Sequence, residues 1–137
     1  MFKVSGIRTA STKAEIGSTL WTDRRNYKIT HLPGDLAGSM LFRPKHYVNR
    51  GTISVSSTND AYIWVALLET RDGGLMDVLA TEGWTLKEGW YVQWSNNNEK
   101  LNKIWSKQIA AGETVTFTTT EDRMTFAIFA LEGTNFL

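Results

Sequence analysis

The chain has 137 residues, 42% hydrophobic and 21% charged, and its 15 basic and 14 acidic side chains leave a formal net charge of +1. That size fits one domain spanning residues 1–137 with a sizeable core, and the composition excludes a disordered chain. The near-balance of charge argues against a nucleic-acid partner, which draws on a marked basic excess, and the absence of cysteine removes disulfides, thiol catalysis and Cys-based zinc sites. From the N-terminus onward, MFKVSGIRTA lacks the apolar stretch of a signal peptide, and no run approaches the ~18 apolar residues of a membrane span. The compartment stays open between a secreted mature domain and a cytoplasmic protein.

Strands are predicted at residues 2–8, 27–31, 39–43, 52–57 and 62–69, then at 90–94, 101–106, 114–119 and 124–132. They are separated by turn signals, including Gly17, Pro33-Gly34, Asn49-Arg50-Gly51, Asp72-Gly73-Gly74, the run Asn96-Asn97-Asn98 and Ala111-Gly112. Helix is scarce, with room for a single turn over 75–79. The pattern predicts an all-β fold, a single-domain antiparallel β-sandwich of jelly-roll type with about eight to ten strands and little helix.

Two segments echo one another. Residues 52–60 (TISVSSTND) match 114–122 (TVTFTTTED), and each is followed by an apolar strand, IWVALLE in the first and FAIFALE in the second. Alternation puts Ile53 and Val55, and likewise Val115 and Phe117, on inward faces. The unbroken apolar runs suit central strands covered on both sides. Two matching hairpins are expected, in opposed or neighbouring positions of one sandwich; either an internal duplication or ordinary hairpin composition accounts for the likeness.

Several short motifs occur in a recognisable order: Asp23-Arg24-Arg25-Asn26-Tyr27, then Pro33-Gly34-Asp35-Leu36-Ala37-Gly38, Ile63-Trp64-Val65-Ala66, and Lys107-Gln108-Ile109-Ala110-Ala111-Gly112-Glu113-Thr114-Val115. In this order they resemble the pattern of a β-sandwich accessory module found at the ends of bacterial polysaccharide-degrading enzymes and related secreted proteins. One residue is inserted before Tyr27, and Leu68 stands where the pattern is acidic. The resemblance implies the sandwich fold and a saccharide-associated setting, and it transfers no active site.

No catalytic constellation is legible. His31 and His46 have no companion at metal-ligand spacing and read as structural or surface residues. No nucleophile elbow or phosphate-binding loop occurs. Asp60, Glu69, Asp72 and Asp77 sit at expected strand ends and turns, where solvated acids are ordinary. Asp72 to Asp77 reads as a turn rather than a calcium loop. The chain is expected to be no enzyme and to need no cofactor or metal.

The aromatics remain. Tryptophans occur at 84, 90, 94 and 105. Strand parity gives Trp90, Val92 and Trp94 one face, read as core, and puts Tyr91 and Gln93 on the wet face. Trp64 and Trp105 read as packing residues. Trp84, between Gly83 and Thr85 in a connection, is the indole expected at the surface. Indole or phenol beside planar amides is what sugar recognition requires, so a ligand-binding surface is expected from Trp84, Tyr91, Asn96, Asn97 and Asn98, with Arg71 and Asp72 beside it. The asparagines equally suit a plain hairpin tip. The expected function is a non-catalytic carbohydrate-binding module, lectin-like or accessory, with a saccharide partner and several sites per chain or in a homo-oligomer. The alternative is a structural or assembly domain that uses the same aromatics for protein contacts.

Overall fold

Alternating apolar and Ser/Thr residues favour strands with one face against a core, and such strands account for most of the chain. The structure, a computed structural model, describes residues 1–47, 51–95, 100–119 and 124–133, with the backbone alone described for 69–73 and 119. Among the described residues there are eleven strands: β1 (Phe2–Gly6), β2 (Thr9–Lys13), β3 (Thr19–Trp21), β4 (Arg24–His31), β5 (Met40–Pro44), β6 (Gly51–Ser57), β7 (Ala61–Leu67), β8 (Thr85–Trp94), β9 (Asn102–Ile109), β10 (Thr114–Thr119) and β11 (Ala127–Glu132). A 3-10 turn covers Gly34–Leu36, and one helix, α1, spans Glu69–Thr81. The fold is all-β and sandwich-like, with antiparallel pairing throughout a three-stranded sheet ordered β1-β6-β10 and an eight-stranded sheet ordered β2-β5-β11-β7-β9-β8-β4-β3.

The larger sheet curls. At one end β3 meets β5 from near the other: Thr22 N–H donates to the Pro44 carbonyl at 3.0 Å, and Arg43 Nε donates to the Thr19 carbonyl at 2.8 Å. Residues paired across strands point to the same side, so the register separates two faces. Phe42, Ile128, Val65, Trp105 and Leu86 form one cross-strand row. Phe2 of the small sheet packs edge-on against Phe42 in that row, with ring centroids 5.9 Å apart. The opposite face carries Leu41, Phe129 and Trp64, and farther along Val92 and Trp94. There Trp94 meets Trp21 edge-to-face at 5.9 Å, closing a core within the curl.

The chain passes from one sheet to the other at Gly6. Its φ is +94°, and a Cβ there would stand 2.1 Å from the Thr52 carbonyl oxygen, which accepts the Ile7 N–H at 2.8 Å. Only glycine fits so close an approach at that angle. The expected strand over 2–8 therefore ends at Gly6, and the strand that follows, Thr9–Lys13, belongs to the other sheet.

The two echoing segments are not hairpins. β6 and β7 lie in different sheets, as do β10 and β11, so each segment crosses between layers, and the pairing joins the copies to each other. β6 pairs with β10 and β7 with β11. Exchanging the copies maps the pair Ile53–Phe117 onto Val115–Val55, and Trp64–Phe129 onto Ala127–Ala66. A local two-fold axis thus relates the copies in each sheet, through the pairs Ser54–Thr116 and Val65–Ile128. Ile53, Val55, Val115 and Phe117 are buried, in agreement with their alternation.

Helix α1 replaces the expected turn at Asp72-Gly73-Gly74 and the single turn over 75–79. Two interior glycines cost a helix about 1 kcal/mol each relative to alanine, and no side chain caps its first turn. Tertiary packing overrides that local preference: Leu79 is fully buried, Leu75 and Met76 pack against the core, and the helix lies on β7 and β9. Among the described residues, no helix is long and apolar enough to cross a membrane.

Candidate functional site

Strand β8 departs from regular pairing. Its Leu86 opposes Trp105 and its Tyr91 opposes Lys103, so five steps along β8 match two along β9 and leave three surplus residues. The four residues between them, Lys87-Glu88-Gly89-Trp90, lie opposite the single residue Ile104, with Gly89 at φ +79°. Bulges of this kind re-aim side chains next to binding sites. Trp90 ends the bulge one step before Tyr91 and packs against the core that contains Val92 and Trp94. Those two are 0% and 1% exposed, whereas Trp90 is half-buried.

A surface pocket of about 280 Å³ lies against the bulge, lined from β8 by Leu86 through Tyr91 and from the start of β9 by Leu101 and Lys103. The Lys87 ammonium sits 4.6 Å from the Trp90 ring centroid, a cation–π contact. Tyr91 stacks on the His31 ring of β4 at 4.2 Å and an interplanar angle of 17°, which fixes the phenol's orientation. Leu101, 49% exposed, gives the mouth an apolar edge. Behind Leu86, the Nε1–H of Trp105 is buried and has no hydrogen-bond partner. The arrangement offers aromatic surface, an aliphatic edge and three charged side chains, which suits binding of a small polar ligand with a hydrophobic face.

The expected surface residues fare unequally. Tyr91 is half-buried and lines the pocket. Trp84 is 6% exposed: its amide donates to the Leu79 carbonyl at the end of α1, and its indole packs against Phe117 at 5.7 Å. The expectation of an exposed Trp84 is thereby corrected, because the helix end folds the connection down onto the small sheet. Arg71 and Asp72 fall in α1, where the backbone alone is described, and none of the pocket's described lining residues comes from that helix. Asn96, Asn97 and Asn98 lie outside the described residues. Sequence reasoning missed Trp90, Lys87, Leu101 and Lys103. The available signal was Gly89 within an otherwise strand-like run, since an interior strand glycine often marks a bulge.

The two histidines do different work. His46 is 7% exposed, its Nδ1–H donates to the Met124 carbonyl at 2.7 Å, and its ring packs on Trp21 at 4.5 Å. Asp23 accepts the His46 N–H at 2.6 Å and the Tyr47 N–H at 3.3 Å. Burial alone raises the Asp23 carboxyl, but these amides, its own amide and the neighbouring Arg24 outweigh it and hold the group below its ordinary value. Arg24 in turn lies over the Tyr47 ring at 4.2 Å. The Asp23-Arg24 segment therefore pins the connection after β5, which is an architectural task. Among the described residues, no three His, Asp or Glu side chains gather closely enough to hold a metal ion.

No protein-family model matches the chain, and no curated protein matches it. Two solved structures share its fold. One is a β-glucuronidase of glycoside hydrolase family 2, with a TM-score of 0.68 and 15% identity over 96% of this chain. The other is a GH138 enzyme targeting pectin rhamnogalacturonan II, with a TM-score of 0.61 and 13% identity over 91% of this chain. The chain spans 14% of the first enzyme and 16% of the second. It is thus built like a small β-rich module within much larger polysaccharide-degrading enzymes.

Proposed function

We propose that the chain is a non-catalytic carbohydrate-binding module whose binding site is the pocket beside the β8 bulge. The observation that carries this reading is that half-buried Trp90, packed against the core, also lines the same pocket as Tyr91. An indole held partly open beside a fixed phenol can meet the C–H face of a pyranose, while Lys87, Glu88 and Lys103 supply partners for hydroxyls. Asn96, Asn97 and Asn98, in the connection from β8 to β9, add amides to the proposed surface. The fold shared with modules of glycoside hydrolases supports a saccharide setting, and function is argued from the site.

A panel of immobilised glycans displayed multivalently tests this, because a single shallow site gains from avidity. Binding to at least one glycan, lost in Trp90→Ala and retained in Trp84→Phe, is expected. A panel that stays blank for the wild type refutes the proposal. The exposed Leu101 at the pocket mouth favours a second reading, an assembly surface. That reading predicts concentration-dependent self-association without any sugar, abolished by Leu101→Asp.

A further inference from the structure

We infer that this pocket selects acidic sugars, the ligand bearing a carboxylate or sulfate oxyanion that pairs with Lys87 and Lys103. The inference rests on the saccharide-binding reading and specifies its ligand class. Two basic residues, Lys87 and Lys103, and one acidic residue, Glu88, are among those lining the pocket, a basic excess in a chain whose overall charge is only +1. Lys103 stands across from Tyr91 in the β8–β9 pairing, so a basic residue neighbours the phenol on the same side of the sheet.

The position of Lys87 discriminates between ligand classes. Its ammonium already occupies a face of the Trp90 ring. A neutral sugar stacking on that face must displace the cation and gains from it only a hydrogen bond to a neutral hydroxyl, weaker than a bond to an oxyanion. An acidic sugar can stack at the ring's edge and pair its oxyanion with the same ammonium, so the cation–π contact and the new ion pair coexist. Glu88 opposes this and sets its limit: it lies on the exposed bulge beside Lys87 and repels any anion there. Removing Glu88 therefore strengthens acidic ligands specifically.

The test is titration by intrinsic tryptophan fluorescence and ligand-observed NMR. The probes are trigalacturonate, its neutral methyl ester, sulfated dextran oligosaccharide and unsulfated dextran. The acidic member of at least one pair is expected to bind more tightly than its neutral counterpart, and which pair responds identifies the oxyanion. Lys103→Gln should weaken that binding roughly fivefold, the size of an exposed charge pair. The double change Lys87→Gln/Lys103→Gln should weaken it further, and Glu88→Gln should strengthen it. The preference should collapse in about 1 M salt, where exposed charges are screened beyond ~3 Å. Equal binding of acidic and neutral members, indifferent to the lysines but lost in Trp90→Ala, overturns acid selectivity and leaves a neutral-sugar module. Absence of binding by every probe and by the glycan panel overturns both readings together.

Discussion

Trp90 and Trp94 are two alternation steps apart on one strand, and replacing each with alanine separates the bulge from a regular ladder. Trp94 is 1% exposed, wedged edge-on against Trp21 at 5.9 Å and paired across strands with the fully buried Ile29. Truncating it removes a whole indole from a packed core, which costs roughly 3–5 kcal/mol. Trp90 is half-buried, and its alanine variant loses a cation–π contact worth ~0.5–1 kcal/mol at an exposed site, plus part of the apolar burial, for about 1 kcal/mol in all. In a domain of this size each kcal/mol moves the melting temperature by roughly 2–8 °C. Trp94→Ala should therefore melt at least about 6 °C below wild type, and Trp90→Ala within a few degrees of it. Urea unfolding followed by far-UV circular dichroism measures both free energies, and a ligand titration shows whether Trp90→Ala alone loses binding while folded. Similar losses of stability in the two variants would show that Trp90 sits in the core with Trp94, and the bulge, pocket and proposed function would fall together.

Other positions test the scaffold. Gly6→Ala places a methyl 2.1 Å from the Thr52 carbonyl at φ +94°, so stability should drop by roughly 2 kcal/mol or more in the same unfolding assay. Asn102 is fully buried and its side-chain amide donates to the Val92 carbonyl at 3.0 Å; Asn102→Ala removes that buried bond and should cost about 1–3 kcal/mol, whereas a loss near zero would show the bond is dispensable. The Asp23 carboxyl is held below its ordinary value, so its stabilising contribution is present above about pH 4 and lost as pH falls through the lower folded value. Asp23→Ala should accordingly be less stable than wild type at neutral pH, with the gap closing in acid; a gap independent of pH would show that the amide bonds to His46 and Tyr47 contribute nothing through the carboxylate.

Nine predicted strands correspond to nine in the structure because Ile, Val, Thr and aromatic residues alternate within them and turn residues interrupt them; 114–119 agrees to the residue. The two strands left out, Thr9–Lys13 and Thr19–Trp21, are short edge pieces whose sequences TASTK and TLW lack a visible period. α1 escaped notice because Gly73-Gly74 reads locally as a turn, and only the bed of β7 and β9 makes the helix worth forming. The site was half legible. Tyr91 follows from parity, and Trp90 packs against the core as its parity suggests. The partial exposure of Trp90 beside the pocket was not legible, because three surplus residues interrupt regular pairing just before Tyr91. Trp84 was misplaced for a related reason: its surroundings are set by Phe117, distant in sequence.

The local two-fold axis has a consequence for the order in which the molecule can form. Each sheet contains a strand pair joining residues 51–67 with 114–132, so neither pairing exists until the later segment has left the ribosome. Until then β7, buried along nearly its whole length in the finished fold, presents an unpaired apolar edge, the kind of surface that draws other chains. A ribosome-bound chain halted before residue 114 should therefore engage a hydrophobic-binding chaperone, and release it once the second copy emerges and pairs with the first.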